Sequence, residues 1–347
     1  MRATQSTPAA RRGFLVRTVG RGSLVAIAAS AVLATGLGAW PGSARAQADF
    51  PNRPVRIVVP YSAGTGSDVI ARIVTQAITE KTGKTFVIEN REGGGSLIGT
   101  LAVAKAPADG YTLLMAANPT VIVPSQSVAP AYQPLTDFTP VAKLALIPLV
   151  LTVSPALKIS NLRELVAYAR ANPGKLSYGS SGPGTISQQE MELFKQAMGL
   201  DIPEIPYKST AQAMTDVIGG TLSLLPAVVP LAAPHIQSGR VTALAVLDDR
   251  RAATLPEVPA ITEDGAVQGY APTPVWYGFL APARTPPAAV HALAGMLNEA
   301  MATPDVQAKL QKQGARPVLV GAPQFAADMQ TEYEKATQLA IRTGVRK

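Results

Sequence analysis

Val59-Pro60-Tyr61-Ser62-Ala63-Gly64-Thr65-Gly66-Ser67-Asp68-Val69-Ile70-Ala71-Arg72 continues the short β-branched run Arg56-Ile57-Val58-Val59 and leads directly into an amphipathic stretch. The run reads as a buried strand, and Val69, Ile70, Ile73, Val74, Ala77 and Ile78 share one face of a helix over about 67–82. Between them lies a turn of Gly, Ser and Thr whose bare amides point to where the helix begins. The arrangement recurs as Ser177-Tyr178-Gly179-Ser180-Ser181-Gly182-Pro183-Gly184-Thr185-Ile186-Ser187-Gln188-Gln189-Glu190, 118 residues later when counted from Gly64 to Gly182. A helix start offers unpaired N–H donors and the positive end of the helix dipole, which suits an anion. Two such units on two lobes would hold a small anion between them.

Outward from these units the pattern continues. Thr85–Ile88 leads through Gly93-Gly94-Gly95, which reads as a plain turn, into a helix near 97–106, and Tyr111–Met115 is the next strand. Strands are expected at Leu149–Val153, 176–178, 243–246 and 275–280, separated by helices near 161–171, 187–198, 211–219, 287–302 and 322–340. Strands alternating with helices predict an α/β chain with mostly parallel sheets, and 347 residues suggest about two domains. Each loop also has a purely structural reading. Ser187-Gln188-Gln189-Glu190 has the form of a capping box, and Asp68 complements a first helical turn. Capping alone, however, does not call for two or three glycines beside the caps.

Composition excludes several classes. The chain has no Cys, which removes disulfide frameworks, thiolate metal sites and cysteine nucleophiles. Aromatics at 5% argue against stacking on nucleic-acid bases. The net charge of +8 is concentrated at the start: residues 1–46 carry six Arg and no acid, and beyond them 25 basic residues face 23 acidic ones. Those 46 residues read as an export signal, with a basic start, an apolar run from Ser23 to Trp40 and a small-residue end at Ser43-Ala44-Arg45-Ala46. Cleavage after Ala46 is expected, which places the mature chain in the periplasm. Arg11-Arg12-Gly13-Phe14-Leu15 resembles a twin-arginine motif, and the Sec route stays open.

Candidates for chemistry are few. The histidines are His235 and His291, and neither stands near a zinc-binding pattern. Gly179-Ser180-Ser181-Gly182 lacks the spacing of a nucleophile elbow, and Gly64-Thr65-Gly66 lacks the third Gly of a dinucleotide fingerprint. No catalytic residue, metal site or cofactor is expected. A hydrolase pairing Ser181 with His235 remains open on composition, without a motif behind it.

Pro51-Asn52-Arg53-Pro54-Val55-Arg56-Ile57-Val58-Val59-Pro60-Tyr61, G-x-G-S-D at 64–68, E-N-R-E-G-G-G-S-L-I-G at 89–99, A-D-G-Y-T-L-L at 108–114 and P-L-T-D-F-T-P-V at 134–141 resemble the Bug-type extracytoplasmic solute receptors of tripartite tricarboxylate transporters. So do P-G-K-L-S-Y-G-S-S-G-P-G-T at 173–185, I-P-Y-K-S at 205–209, L-P-E-V-P-A at 255–260 and W-Y-G-F-L-A-P-A at 276–283. The ordered set covers the chain from about Phe50 to its end.

The resemblance implies a two-lobed periplasmic binding protein fold of type II, with two mostly parallel sheets joined by a two-crossing hinge. Lobe 1 would comprise 47–149 and 274–347, and lobe 2 would comprise 150–273. It further implies a monomer that closes on a small carboxylate and delivers it to membrane permease subunits, with no nucleic-acid partner. The alternative is a sensor presenting the same solute to a signalling partner. By the same resemblance, Tyr61, Ser62, Ala63, Gly64, Thr65, Gly66 and Ser67 are expected to contact the carboxylate from one lobe, with Asp68 fixing the loop. Ser180, Ser181, Gly184, Thr185 and Gln188 are expected from the other. Gln188 departs from the His often found there, and Pro226-Ala227-Val228-Val229 stands where many relatives carry Asp and Asn. Ala227 and Val228 are therefore expected to line the pocket as an apolar wall, favouring acids with an apolar body.

Overall fold

The computed structural model describes residues 50–182, 184–265 and 267–346, so the expected export signal and the expected cleavage after Ala46 lie outside the described residues. Among the described residues eleven strands form two sheets. In chain order the elements are β1 (Val55–Val59), α1 (Gly66–Thr82), β2 (Phe86–Asn90), α2 (Leu97–Ala104), β3 (Thr112–Ala117), α3 (Pro119–Ser125), β4 (Phe138–Ile147), β5 (Leu149–Val153), α4 (Leu162–Ala171), β6 (Tyr178–Ser180) and α5 (Ile186–Met198). They continue with β7 (Glu204–Pro206), α6 (Thr210–Gly219), β8 (Leu224–Val228), α7 (Val229–Gln237), β9 (Thr242–Leu247), β10 (Val275–Pro282), α8 (Pro287–Met301), α9 (Pro304–Lys312), β11 (Arg316–Gly321) and α10 (Ala322–Arg342).

The first sheet has the order β11-β4-β10-β3-β1-β2 and the second β7-β6-β8-β5-β9. The strands next to the Gly/Ser/Thr loops pair in parallel, β1 with β2 and β3, and β6 with β7 and β8. The strands that lead into and out of the crossings pair antiparallel, β10 with β3 and β4, and β5 with β8 and β9. Each sheet is therefore mixed, with its parallel half carrying the loop.

Alternation along the strands makes each sheet two-sided. Ile57, Val59, Leu113 and Met115 face α1 and α8, whereas Val58, Leu114 and Ala116 face α2, α3 and α10. In the second sheet Leu149, Leu151 and Val153 pack on α4 and α5, and Val150 and Val246 pack on α6 and α7. Phe194, Phe279 and Phe325 are completely buried, each worth roughly 1.5–3 kcal/mol over an exposed ring. Gly83 ends α1 and Gly199 ends α5, both in the left-handed conformation a Gly adopts at low cost. Ile147 belongs to the first sheet and Leu149 to the second, so the chain changes sheets at Pro148; after β9 it is back in the first sheet at Val275. No helix among the described residues is long and apolar enough to cross a membrane.

Candidate functional site

The starts of α1, α3, α5 and α6, the end of β8 and the beginnings of β5 and β10 surround a cleft of about 370 Å³. The two loops singled out by the sequence both reach it, and their geometry matches in detail. Gly64 has φ +81° and donates its N–H to Asp68 Oδ2 (2.9 Å), four residues on. Gly184 has φ +80° and donates its N–H to Gln188 Oε1 (3.0 Å), also four residues on. Thr65 Oγ1 donates back to Ser62 O (2.8 Å), and Thr185 Oγ1 back to Gly182 O (2.7 Å). The equivalence is thus Gly64 with Gly184, an offset of 120 rather than 118, and it pairs Thr65 with Thr185 and Ser67 with Ser187.

This geometry leaves the helix starts open. Thr65 and Thr185 are the N-cap residues of α1 and α5, and neither side chain accepts a bond from its helix. In α4 and α6, by contrast, Asn161 and Ser209 accept the N–H of Glu164 and Gln212. Thr303 ahead of α9 also turns its hydroxyl back, to Ala300 O, so a turned-back hydroxyl alone does not make a site. What distinguishes α1 and α5 from α9 is that both their starts face one cleft. The amides of Gly66, Ser67, Ile186 and Ser187 have no acceptor among the described residues, as the first turn of a helix dictates.

Each loop is pinned from behind. Asp68 is buried and accepts from Gly64 N–H, Asn90 Nδ2 (3.0 Å) and Arg72, and the Arg72 guanidinium beside it holds its carboxyl down at about 2. Gln188 plays the corresponding part in the second loop, its Nε2 donating to Glu204 Oε2 (3.0 Å). Glu204 also accepts from Ser180 Oγ (2.5 Å), whose oxygen takes the N–H of Gly182 (2.8 Å).

Of the residues expected at the site, Tyr61, Thr65, Gly66, Ser67, Ser181, Thr185 and Val228 line the cleft. The others do not. Ser62, which bonds Glu92, and the exposed Ala63 stand on the outer side of the loop. The N–H groups of Gly64 and Gly184 are taken by Asp68 and Gln188, so these residues shape the loops rather than offer donors. Ser180 is fully buried, and Gln188 faces a separate pocket with Gln126 and Glu204. Ala227 is also fully buried, in the core formed with Val150, Met214 and Val217, because alternation along β8 turns it away from the cleft that Pro226 and Val228 border. The capping box is not formed either. Ser187 Oγ lies 3.3 Å from Thr185 Oγ1, and the Glu190 carboxylate turns toward Tyr270 and Thr273. Ser181 Oγ pairs with Thr210 Oγ1 (2.8 Å), while His235 sits in the last turn of α7, away from the cleft, so the Ser181–His235 pairing is absent. Among the described residues no group of three or more His, Asp or Glu is placed to hold a metal ion.

Two contributors carry no local signal. Tyr277 on β10 faces Ser67, and its hydroxyl lies 3.0 Å from where a side chain on Gly66 would begin; burial pushes its phenol up to about 12, so it stays protonated. Asn118 lines the cleft at the start of α3 and connects it to the return crossing. Its Oδ1 accepts Trp276 N–H (2.9 Å), and its Nδ2 donates to Glu332 Oε1 (2.6 Å) and Pro274 O (3.3 Å). Trp276 is buried against Phe325 in the first sheet and donates its indole N–H to Glu332 Oε2 (2.6 Å). On the other side Glu190 Oε2 accepts from Tyr270 (2.5 Å) and from Thr273 N–H (3.0 Å). The segment from Tyr270 to Trp276 is thereby tied to α5 by Glu190 and to α10 by Glu332. Burial pushes both carboxyls up to about 7.

Comparison with known proteins agrees with this architecture. The model of the tripartite tricarboxylate transporter family receptor matches residues 70–344. Protein BugT of Bordetella pertussis is 33% identical over 299 residues, covering 86% of this chain and 91% of BugT. The solved periplasmic binding protein BugD superposes with a TM-score of 0.70 at 31% identity, over 86% of this chain and all of BugD. The R. palustris protein Rpa4515, solved with adipate, does so with a TM-score of 0.70 at 34% identity, over 84% of this chain and 98% of its own. With an α/β fold of two mixed sheets and a match of this extent, the chain is a solute-binding receptor that belongs to the tripartite tricarboxylate transporter receptor family.

Proposed function

We propose that this chain is exported to the periplasm, loses residues 1–46, captures a small carboxylate between its two lobes and delivers it to tripartite permease subunits. Residues 47–149 with 274–347 form one lobe in this reading, and 150–273 form the other. The observation that carries it is the pair of uncapped helix starts, α1 and α5, facing one cleft. The carboxylate takes the amides of Gly66 and Ser67 from one lobe and those of Ile186 and Ser187 from the other. The hydroxyls of Thr65, Ser181, Thr185 and Tyr61 stand beside them. Each charge-assisted bond of this kind is worth roughly 1.5–3 kcal/mol, so four amides suffice for a tight complex without a cationic side chain. Solved relatives support the ligand class, one holding adipate and another malate.

Ligand then selects the closed arrangement, because only there do both helix starts reach the same carboxylate. The test is native mass spectrometry of the mature protein purified from periplasm, followed by calorimetry with the acid released from it. A bound carboxylate that rebinds to the emptied protein is the expected result. A copurifying neutral or cationic solute that rebinds would refute the reading.

A further inference from the structure

The walls of the cleft carry information beyond the helix starts, and the inference below rests on the carboxylate reading just given. We propose that the solute has one carboxylate and an apolar body, with the body resting on the strands at the two crossings. Among the described residues, none of those around the cleft is Asp, Glu, Lys, Arg or His. Away from the helix starts the surface is made by Leu149, Pro226, Val228 and Val275. Leu149 and Val275 are the first residues of the strands that follow the crossings, and Leu149 lies directly opposite Val228 in the β5–β8 ladder. The floor is thus a continuous apolar surface contributed by three strands, and Pro226 has no N–H to offer there.

The side-chain amide bordering this floor is already engaged. Asn118 is the one side-chain amide around the cleft. Both its nitrogen and its oxygen are committed, to Glu332, Pro274 and Trp276. The hydroxyls of Ser181 and Thr210 pair with each other, which leaves one O–H between the two. A second carboxylate lying on Leu149, Pro226, Val228 and Val275 would be stripped of water and given no side-chain donor by them in return, which is strongly unfavourable. A methylene chain, a branched chain or a ring in the same place loses no hydrogen bond and gains the contact.

Hexanoate and adipate test this cleanly, since they have the same chain length and differ by the second carboxylate. Calorimetry on the mature protein, emptied of ligand, should give hexanoate at least tenfold tighter than adipate, with malate and citrate weaker still. Val275→Thr is nearly isosteric and adds one hydroxyl to the floor. It should narrow the hexanoate-to-adipate ratio about threefold while leaving the melting temperature of the empty protein close to that of the parent. Adipate binding as tightly as hexanoate would place its second carboxylate at the start of α6 and overturn the proposal, leaving the carboxylate receptor intact. An unchanged ratio in Val275→Thr would also overturn it, because the body would then not touch the floor. Binding of none of these acids, nor of benzoate or 4-methylpentanoate, would remove the carboxylate reading and this proposal with it.

Discussion

Replacing Glu190 by Gln isolates the energetic cost of the buried carboxyl that ties α5 to the return crossing. Both native bonds reach one oxygen, Oε2, which accepts Tyr270 O–H and Thr273 N–H. The other oxygen has no partner among the described residues. A Gln amide keeps its carbonyl where Oε2 stands and places its nitrogen where the unpartnered oxygen was. The variant therefore preserves geometry and removes only the titration. In the folded protein, burial, with the nearby Glu332 adding to it, raises Glu190 to about 7 from the ordinary 4.5.

Between those two values the folded state holds a proton that the unfolded chain has released. Stability must therefore fall as pH rises through this window, level off above about 7, and be free of the penalty below about 4.5. A shift of this size corresponds to about 3 kcal/mol. Urea unfolding from pH about 4.5 to about 8 should show Glu190→Gln gaining on the parent by about 3 kcal/mol across the range, most of it before pH about 7. The parent should retain some of the same slope, because Glu332 is raised in the same direction. Unfolding curves that stay parallel for parent and variant over this range would falsify the assignment of a Glu190 that holds its proton from about 4.5 up to about 7.

Three further outcomes follow from the same geometry. Gly66→Val should lower carboxylate affinity at least tenfold with little loss of folding stability: its Cβ would begin 3.0 Å from the Tyr277 hydroxyl, inside the cleft, and calorimetry beside a thermal melt checks both halves. Ala227→Asp should leave the protein largely unfolded rather than alter its ligand preference, since the new carboxyl would be buried among Val150, Met214 and Val217 at a cost of several kcal/mol, and circular dichroism would show it. With residues 1–46 removed, as proposed, Trp276 is the one tryptophan remaining, and its indole donates to Glu332, so emission intensity should titrate with a midpoint near 7. Flat emission across that pH range, or an unchanged titration in Glu332→Gln, would count against the Trp276–Glu332 bond.

Much of the fold was legible because its longer elements obey simple periods. The helix read at 67–82 is Gly66–Thr82, and the strand read at Leu149–Val153 has those bounds. What escaped was short or interrupted. α3 is seven residues with Pro119 at its start and Pro124 inside, α7 contains Pro230 and Pro234, β7 is three residues long, and β4 carries Pro140. Proline lacks the N–H that a regular helix or ladder uses, so such segments read as loops until tertiary packing holds them. The glycines mark both loops, but counting from Gly64 to Gly182 gives an offset two residues short, because Gly182 and Gly184 are both present. Matching Gly-Thr-x-Ser in both loops would have given the correct pairing, and with it the role of Gln188 as the counterpart of Asp68. Asn118 and Tyr277 could not be read in this way. Asn118 acquires its role from Trp276, 158 residues away, and nothing in the sequence near either residue reports that contact.

In the proposed receptor, the two Thr residues explain how a site without a cation favours closure. A Thr at an N-cap can satisfy its own helix, and forgoing that bond costs about 1 kcal/mol. Thr65 and Thr185 forgo it, and Asp68 and Gln188 hold the preceding Gly residues in the conformation that keeps the hydroxyls turned back. Water can serve each open start separately, but a single carboxylate serves both only when α1 and α5 face each other across the cleft. In that proposed complex the ligand is the missing cap of two helices at once. Binding energy contributed by either start alone would be the same in an open or a closed protein and would move nothing. Energy that requires both starts together is available only on closure, so the pairing of two modest, uncharged caps favours closure in a way that one strong cationic contact on a single lobe would not.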